Sequence, residues 1–334
     1  MDVGVFLGTQ HPGEADMRQE FENHLEQTRA IRDAGFDALW LAQHYLTHPD
    51  QFFQTTPLLA RLAAETGDMK VGTNILVLPL HNIVDIAEQY ATLDIITGGR
   101  LIVGVALGYR EKEYENFGVV KKTRGRLFSE QVDALKLLWE QDDACFEGEF
   151  INFEGLSIRP KSLQKPRPPL WIGAAANPGI KRAALKGDAW IATSMTTISA
   201  IKEQADYYRQ VRKEAGLEPN KGFTKCVELY VAETREKAFE EGAPYLAHKY
   251  KAYYSWGMGK NVPGESGEDL SMEELVKDRF VIGSPEDCIK GCQAHRDELG
   301  CDHLLVRMNF PGIPQQHVMK AIRLFGEEVL PHIR

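Results

Sequence analysis

Eight short apolar runs, each separated from the next by a longer stretch, constrain this chain more than any other feature. They are DVGVFLG (2–8), FDALWLAQ (36–43), KVGTNILVLP (70–79), RLIVGVALG (100–108), PLWIGAA (169–175), AWIAT (189–193), TKCVELYVA (224–232) and DHLLVRM (302–308). Most are apolar at consecutive positions, as in strands buried on both faces. Helical periodicity lies between or after them. Ile86, Tyr90 and Leu93 fall at i, i+4 and i+7, while Phe128, Val132, Leu135 and Trp139 continue to i+11, as do Val318, Ile322, Phe325 and Val329. In GSPED, Ser284 reads as an N-cap with Pro285 at the first helical position and Asp287 at the third. Eight strands alternating with helices predict an α/β chain forming a single (β/α)8 TIM barrel over 1–334. A doubly wound sheet is the structural alternative, but FLGTQHPGEAD after the first run is no G-x-G-x-x-G.

Two segments exceed what a barrel needs. ACFEGEFINFEGLSIRP (144–160) reads as a β-hairpin after the fourth βα unit, with Gly148 near its turn. Residues from about 249 to 278 form a long insertion before the eighth strand, aromatic at first and acidic later. Neither is flanked by a linker, so both decorate one domain. The chain is 43% hydrophobic over 334 residues, enough for a large core, and its net charge of −9 argues against nucleic acid and anionic membranes as partners. The N-terminus carries no secretory signal, and no run approaches the ~18 apolar residues of a membrane helix. Five scattered cysteines make no disulfide framework and fit a reduced, cytoplasmic protein. Cys288, Cys292 and His295 share one helical face, but with no fourth ligand nearby they read as buried small residues, and no metal is expected.

In an α/β barrel the C-terminal strand ends carry the site. LWLAQHYLTHP passes from core into Gln43, His44 and Tyr45, placing an imidazole at the mouth, although a loop histidine bonded to a carbonyl would look the same. The fourth run leads into Gly108, Tyr109 and Arg110, and the sixth into Thr193 and Ser194. The fifth enters GAAANPGIKRAALKG, small residues followed by a helix starting near Pro178 or Gly179. Free N–H groups and a dipole end there suit a phosphate, and a tight turn needing Gly179 is the alternative.

FDALWLAQHY, VGTNILVLPLHN, ATLDIITGGRLIVGVALGY, ENFGV, PLWIGAAANPGIKRAALKGDAW and VIGSPEDCI resemble the bacterial-luciferase-like flavin-dependent oxidoreductases, in register from Val3 to about Leu330. The resemblance implies a TIM barrel with reduced FMN, or a 5-deazaflavin coenzyme, across its mouth. It makes His44 catalytic, beside the isoalloxazine, and makes Asn74–Ile75 a non-prolyl cis peptide behind the ring. Ala175, Ala176, Asn177, Gly179 and Ile180 become the phosphate cradle, Ser194 lies beside the ring, and Gly108, Tyr109 and Arg110 join the cofactor contacts. Bacterial luciferase has an arginine where Leu107 stands and an acid and a serine where Ala175 and Ala176 stand. Phosphate binding would then rest mostly on backbone N–H groups, with Arg110 as a substitute.

The activity implied is a flavin-dependent monooxygenase that takes reduced FMN from a separate flavin reductase and uses oxygen on a small apolar substrate, as a homo-oligomer, a dimer. Deazaflavin-dependent hydride transfer and non-catalytic flavin binding are the alternatives. An aldolase or epimerase would want a lysine or paired carboxylates at strand ends, and none is evident there. Leu80, Leu107, Met195 and the aromatics from Tyr245 to Trp256 suggest an apolar substrate. The aromatic stretch reads either as a lid or as a helix against the barrel wall.

Overall fold

The computed structural model describes residues 1–257, 274, 276, 277 and 279–334. Eight strands form the barrel: β1 Asp2–Leu7, β2 Ala38–Leu41, β3 Lys70–Thr73, β4 Leu101–Ala106, β5 Leu170–Gly173, β6 Ala189–Ala192, β7 Phe223–Val231 and β8 His303–Arg307. All neighbours are parallel and follow chain order around the ring. The ring closes where Asp2 of β1 pairs with His303 of β8 and where Leu170 of β5 pairs with Val103 of β4. Every run expected from the sequence contains a strand, most of them trimmed by a few residues, and the barrel is the fold predicted.

The interior is filled in layers, as small barrels require. Phe6, Trp40, Ile102, Trp171, Ile191, Cys226 and Leu305 form the inner cluster, with the Trp40 and Trp171 ring centroids 5.0 Å apart. Trp40 fits because its neighbour on β3 has no side chain: a Cβ on Gly72 would lie 2.4 Å from an indole carbon. The outward faces of the strands, with residues such as Val3, Leu39, Val71 and Val103, join the helices in one larger core. Phe128, Val132, Leu135 and Trp139 are buried on the helix Arg124–Glu140, as their spacing demanded. Ser284 closes a capping box with Asp287 at the start of the helix Pro285–Leu299, whose inward face buries Cys288, Cys292 and His295. Val318 and Ile322 lie on the helix Gln315–Leu324, and Phe325 and Val329 follow in a π-helical turn.

The third strand is interrupted. β3 ends at Thr73, the Asn74–Ile75 peptide is cis, and the chain resumes as Leu76–Val77 against Val105 and Ala106 of β4. Thr73 Oγ1 donates to the Gly104 carbonyl at 2.7 Å and accepts from the Gly104 N–H at 2.9 Å. That side chain stands in for the lost ladder, and a Cβ on Gly104 would fall 1.9 Å from the Thr73 carbonyl oxygen.

The hairpin is present as Ala144–Glu147 antiparallel to Asn152–Leu156. The insertion placed at about 249–278 begins inside a helix, Arg235–Ser255, that carries Tyr245, Tyr250, Tyr253 and Tyr254. Residues 258–273, 275 and 278 of it lie outside the described residues. After it, Val281–Gly283 pairs with Leu229–Val231 of β7. Among the described residues no helix is long and apolar enough to cross a membrane.

Candidate active site

The C-terminal strand ends surround a cavity of about 500 Å³. That volume suits a small ligand or part of a cofactor. The abrupt end of β2 divides its labour among three residues. Gln43 Oε1 accepts from the Val77 N–H at 3.1 Å and lies 2.9 Å from His81 Nε2, tying β2 to the resumed third strand. Tyr45 packs on Phe117, ring centroids 4.7 Å apart. The His44 ring lines the cavity and sits among aromatic rings, with Phe52, Tyr109 and Trp256 centroids 5.5 to 5.7 Å away and Tyr109 also at the cavity.

His44 Nδ1 lies 3.2 Å from Glu113 Oε1, and the same oxygen accepts from the Tyr45 N–H at 2.9 Å. Glu113 is fully buried, and its pKa is lowered: burial pushes it up, but hydrogen bonds from His44 and the Tyr45 amide, with the charge of Arg110, outweigh that. Burial lowers the His44 pKa, with Glu113 opposing. A neutral imidazole therefore donates Nδ1–H to an ionised carboxylate, which leaves Nε2 as the basic nitrogen. Nothing in GYREKEYENFG singled out Glu113 from Glu111 and Glu115. Only its position three residues after Arg110 on one helix face hinted at it.

Arg110, offered by the sequence as a phosphate contact, is directed elsewhere. It does not line the cavity; its guanidinium donates to the Tyr45 and Leu46 carbonyls and to Glu113, and it lies 4.2 Å from the Trp256 ring centroid. Arg110 thus holds the loop that carries His44.

Ala174, Ala175, Ala176, Pro178 and Gly179 line the opposite wall, with Gly108, Tyr109, Asn74 and Ile75 also at the cavity. The helix after β5 starts at Asn177 with Ala176 as its cap, slightly earlier than expected. The N–H groups of Gly179 and Ile180 both donate to the Ala176 carbonyl, and the Ile180 side chain lies in the core. Those of Ala175, Ala176 and Asn177 have no backbone partner among the described residues, so within the expected cradle the free donors sit at 175–177 and not at Gly179 and Ile180. Two guanidiniums that the sequence did not point to line the same wall, Arg124 and Arg182. Arg124 begins its own helix, and its Nε is buried without a partner among the described residues. Burial lowers the Arg182 pKa, and its contact is the Phe128 ring, 5.5 Å away.

β6 and β7 contribute a second charged group. Glu228 Oε1 accepts from Ser194 Oγ at 3.0 Å, from Tyr250 Oη at 3.1 Å and from Lys249 Nζ, with Arg307 3.8 Å off. Ser194 is therefore at the cavity but engaged. Met195 and Leu80 are buried beside it and do not line it.

The fold and these strand ends define an α/β-barrel enzyme with its active site at the C-terminal mouth. A family model described as luciferase-like monooxygenase matches residues 1–303, and the chain belongs to that family. The FMNH2-dependent dimethylsulfone monooxygenase of Pseudomonas putida is 28% identical over 333 residues, covering 95% of this chain and 85% of that protein. The crystal structure of monooxygenase RslO1 from Streptomyces bottropensis superposes with a TM-score of 0.89 at 22% identity, covering 100% of both chains. An F420-dependent secondary alcohol dehydrogenase, in complex with an F420–acetone adduct, gives 0.78 at 20% identity over 100% of this chain and 99% of that one. The proteins it resembles thus include one named for FMNH2 and, by fold, one named for F420.

Proposed function

We propose that this protein is the oxygenase component of a two-component monooxygenase, taking reduced FMN from a separate reductase and oxygenating a small organic substrate. The observation that carries this reading is the wall made by 174–179, Arg124 and Arg182, facing His44 and Glu113 across one cavity. Free N–H groups and two guanidiniums with few partners suit a dianionic phosphate. The dimethylsulfone monooxygenase relative, named for FMNH2, favours FMN over the deazaflavin of the alcohol dehydrogenase neighbour.

Bound reduced flavin would supply the electrons with which oxygen is activated. This chain's residues would hold the phosphate at 175–177 and at Arg124 and Arg182, and would set the ring against Asn74, Ile75 and Tyr109. His44 Nε2 would move a proton at the reacting edge, while Glu113 keeps the tautomer and orientation of the imidazole. Tyr253 and Phe6 narrow the cavity and limit water.

A spectral titration of the purified protein with oxidised and reduced FMN, and with F420, tests the cofactor. FMNH2 binding accompanied by substrate-stimulated oxygen uptake, with NADH and a flavin reductase present, is the expected result. Binding of F420 alone would replace oxygenation with hydride transfer.

A further inference from the structure

Two and three strands around the ring from β5, β7 and β8 meet the helix Arg235–Ser255 in a charged cluster that the reading above leaves without a task. It contains Glu228, Lys249 and Arg307, each at most 6% exposed. Glu228 and Arg307 line the cavity beside Phe6, Cys226 and Tyr253. The Glu228 carboxylate is turned to Lys249, Ser194 and Tyr250 through Oε1. Arg307 is left with much less. Its guanidinium carbon lies 3.5 Å from the Phe6 ring centroid, and NH1 makes a long hydrogen bond of 3.5 Å to Tyr253 Oη. NH1 is 3.8 Å from Glu228, beyond hydrogen-bond reach, and Nε has no partner among the described residues. A guanidinium has five N–H donors, and burying it with most of them unmet is costly unless something brings acceptors. Burial and the neighbouring Arg307 push the Lys249 pKa down to about 7.

We propose that Arg307 binds an anionic group, a carboxylate or sulfonate, on the organic substrate, so that the substrate is an apolar body with one acidic end. This rests on the oxygenase reading above. It amends the wholly apolar substrate expected from sequence: Ala42, Ile75, Leu107, Ile172 and Ile191 still line the cavity and take the hydrocarbon part. The planar fork of Arg307, held flat on Phe6, suits two parallel hydrogen bonds to such an oxyanion. Its place on β8 separates it from the phosphate wall after β5, so one ligand need not occupy both.

The test is calorimetric binding of two matched probe pairs, octanoate against octanamide and benzenesulfonate against benzenesulfonamide, to the full chain with and without FMN. Wild type is expected to prefer the anion of at least one pair by about 10–100-fold, the worth of a charge-assisted hydrogen bond, and Arg307→Met to reduce that to about twofold or less. Arg307→Lys should retain part of the preference, and both variants should bind oxidised and reduced FMN like wild type. If Arg307→Met does not fold, the wild-type pairs and Arg307→Lys decide. No anion preference in wild type overturns the proposal. So does a Met variant that keeps the preference and loses affinity for reduced FMN, because the guanidinium then serves the flavin ring. Anion preference without any flavin binding sinks the oxygenase reading alone, whereas FMN binding without anion preference sinks this inference alone.

Discussion

His44 and Glu113 act as a unit because one nitrogen of the ring is committed to the carboxylate at 3.2 Å, which fixes the tautomer of the other. His44→Ala is expected to slow turnover by ~10²–10⁴-fold, the range for a lost acid–base group, with flavin affinity nearly unchanged. An equal kcat in the variant would make His44 a structural loop residue. On the proposed reading Glu113 positions the ring, and Glu113→Gln should cost about 10–10³-fold, less than the ~10⁴ lost with a triad aspartate. It should also leave a signature that misfolding would not. The carboxylate now raises the His44 pKa against the lowering effect of burial. Removing its charge lowers that pKa further, so the acid limb of kcat/KM should move to lower pH. An acid limb that stays in place in the Gln variant would separate the two residues. At the phosphate wall, Arg182→Ala should weaken FMN while leaving riboflavin affinity unchanged, by about 10-fold or more for a lost charge-assisted contact. Equal losses for both ligands would remove Arg182 from the phosphate.

At the scale of elements, the most demanding place is the seam between β3 and β4, where Thr73 replaces ladder hydrogen bonds with its own hydroxyl. Thr73→Val keeps the shape and removes both bonds, stranding a buried N–H and carbonyl of Gly104. A loss of about 1–3 kcal/mol is expected in urea denaturation. A change below ~0.5 kcal/mol would mean that the two backbone groups find other partners. The seam also shows where sequence reasoning stops. The strands were legible because burial on both faces leaves a local record, and β2 and β6 are uniformly apolar. The capping box at Ser284 and the heptad-like spacing on Arg124–Glu140 are likewise local. The cis peptide at Asn74–Ile75 came through resemblance, since no run of residues in VGTNILVLP specifies it physically. Glu113, Arg124, Arg182 and Arg307 escaped for a different reason. Each is a charged residue in a helical or strand pattern where a solvated face is the ordinary reading, and only closure of the ring turns them to one cavity. Arg110 shows the converse: a correct position at the mouth said nothing about which way the guanidinium would point.

Taken as a whole, the molecule buries an unusual set of histidines in neutral form, and this ties its stability to pH. His24 and His295 are pushed down to about 3, and His11 and His81 to about 4, in each case chiefly by burial. His11 and His24 link different elements: His11 Nε2, after β1, lies 3.0 Å from His24 Nε2 on the helix Met17–Asp33, and both rings pack on Phe53. Two imidazolium ions at that distance would repel and neither ring could accept, so the hydrogen bond needs at least one of them neutral. In the unfolded chain these histidines titrate near ~6.5. The unfolded state therefore binds more protons at any pH between about 6.5 and the folded values, and unfolding becomes easier as pH falls through that window. Each histidine contributes a slope of up to ~1.4 kcal/mol per pH unit there, and four together up to ~5 kcal/mol per unit. The carboxylates with lowered pKa act in the same sense, but only at lower pH, so the two contributions separate. Urea midpoints measured at pH 7.5, 6.5, 5.5 and 5.0 should fall modestly between the first two and, per pH unit, most steeply between the last two. His24→Gln, which keeps a polar side chain but cannot take up the proton, should remove about one proton's worth of that slope. A midpoint that stays constant down to pH 5.0 would show that the buried imidazoles find water or a counter-charge as the pH drops, and that the barrel tolerates their protonation.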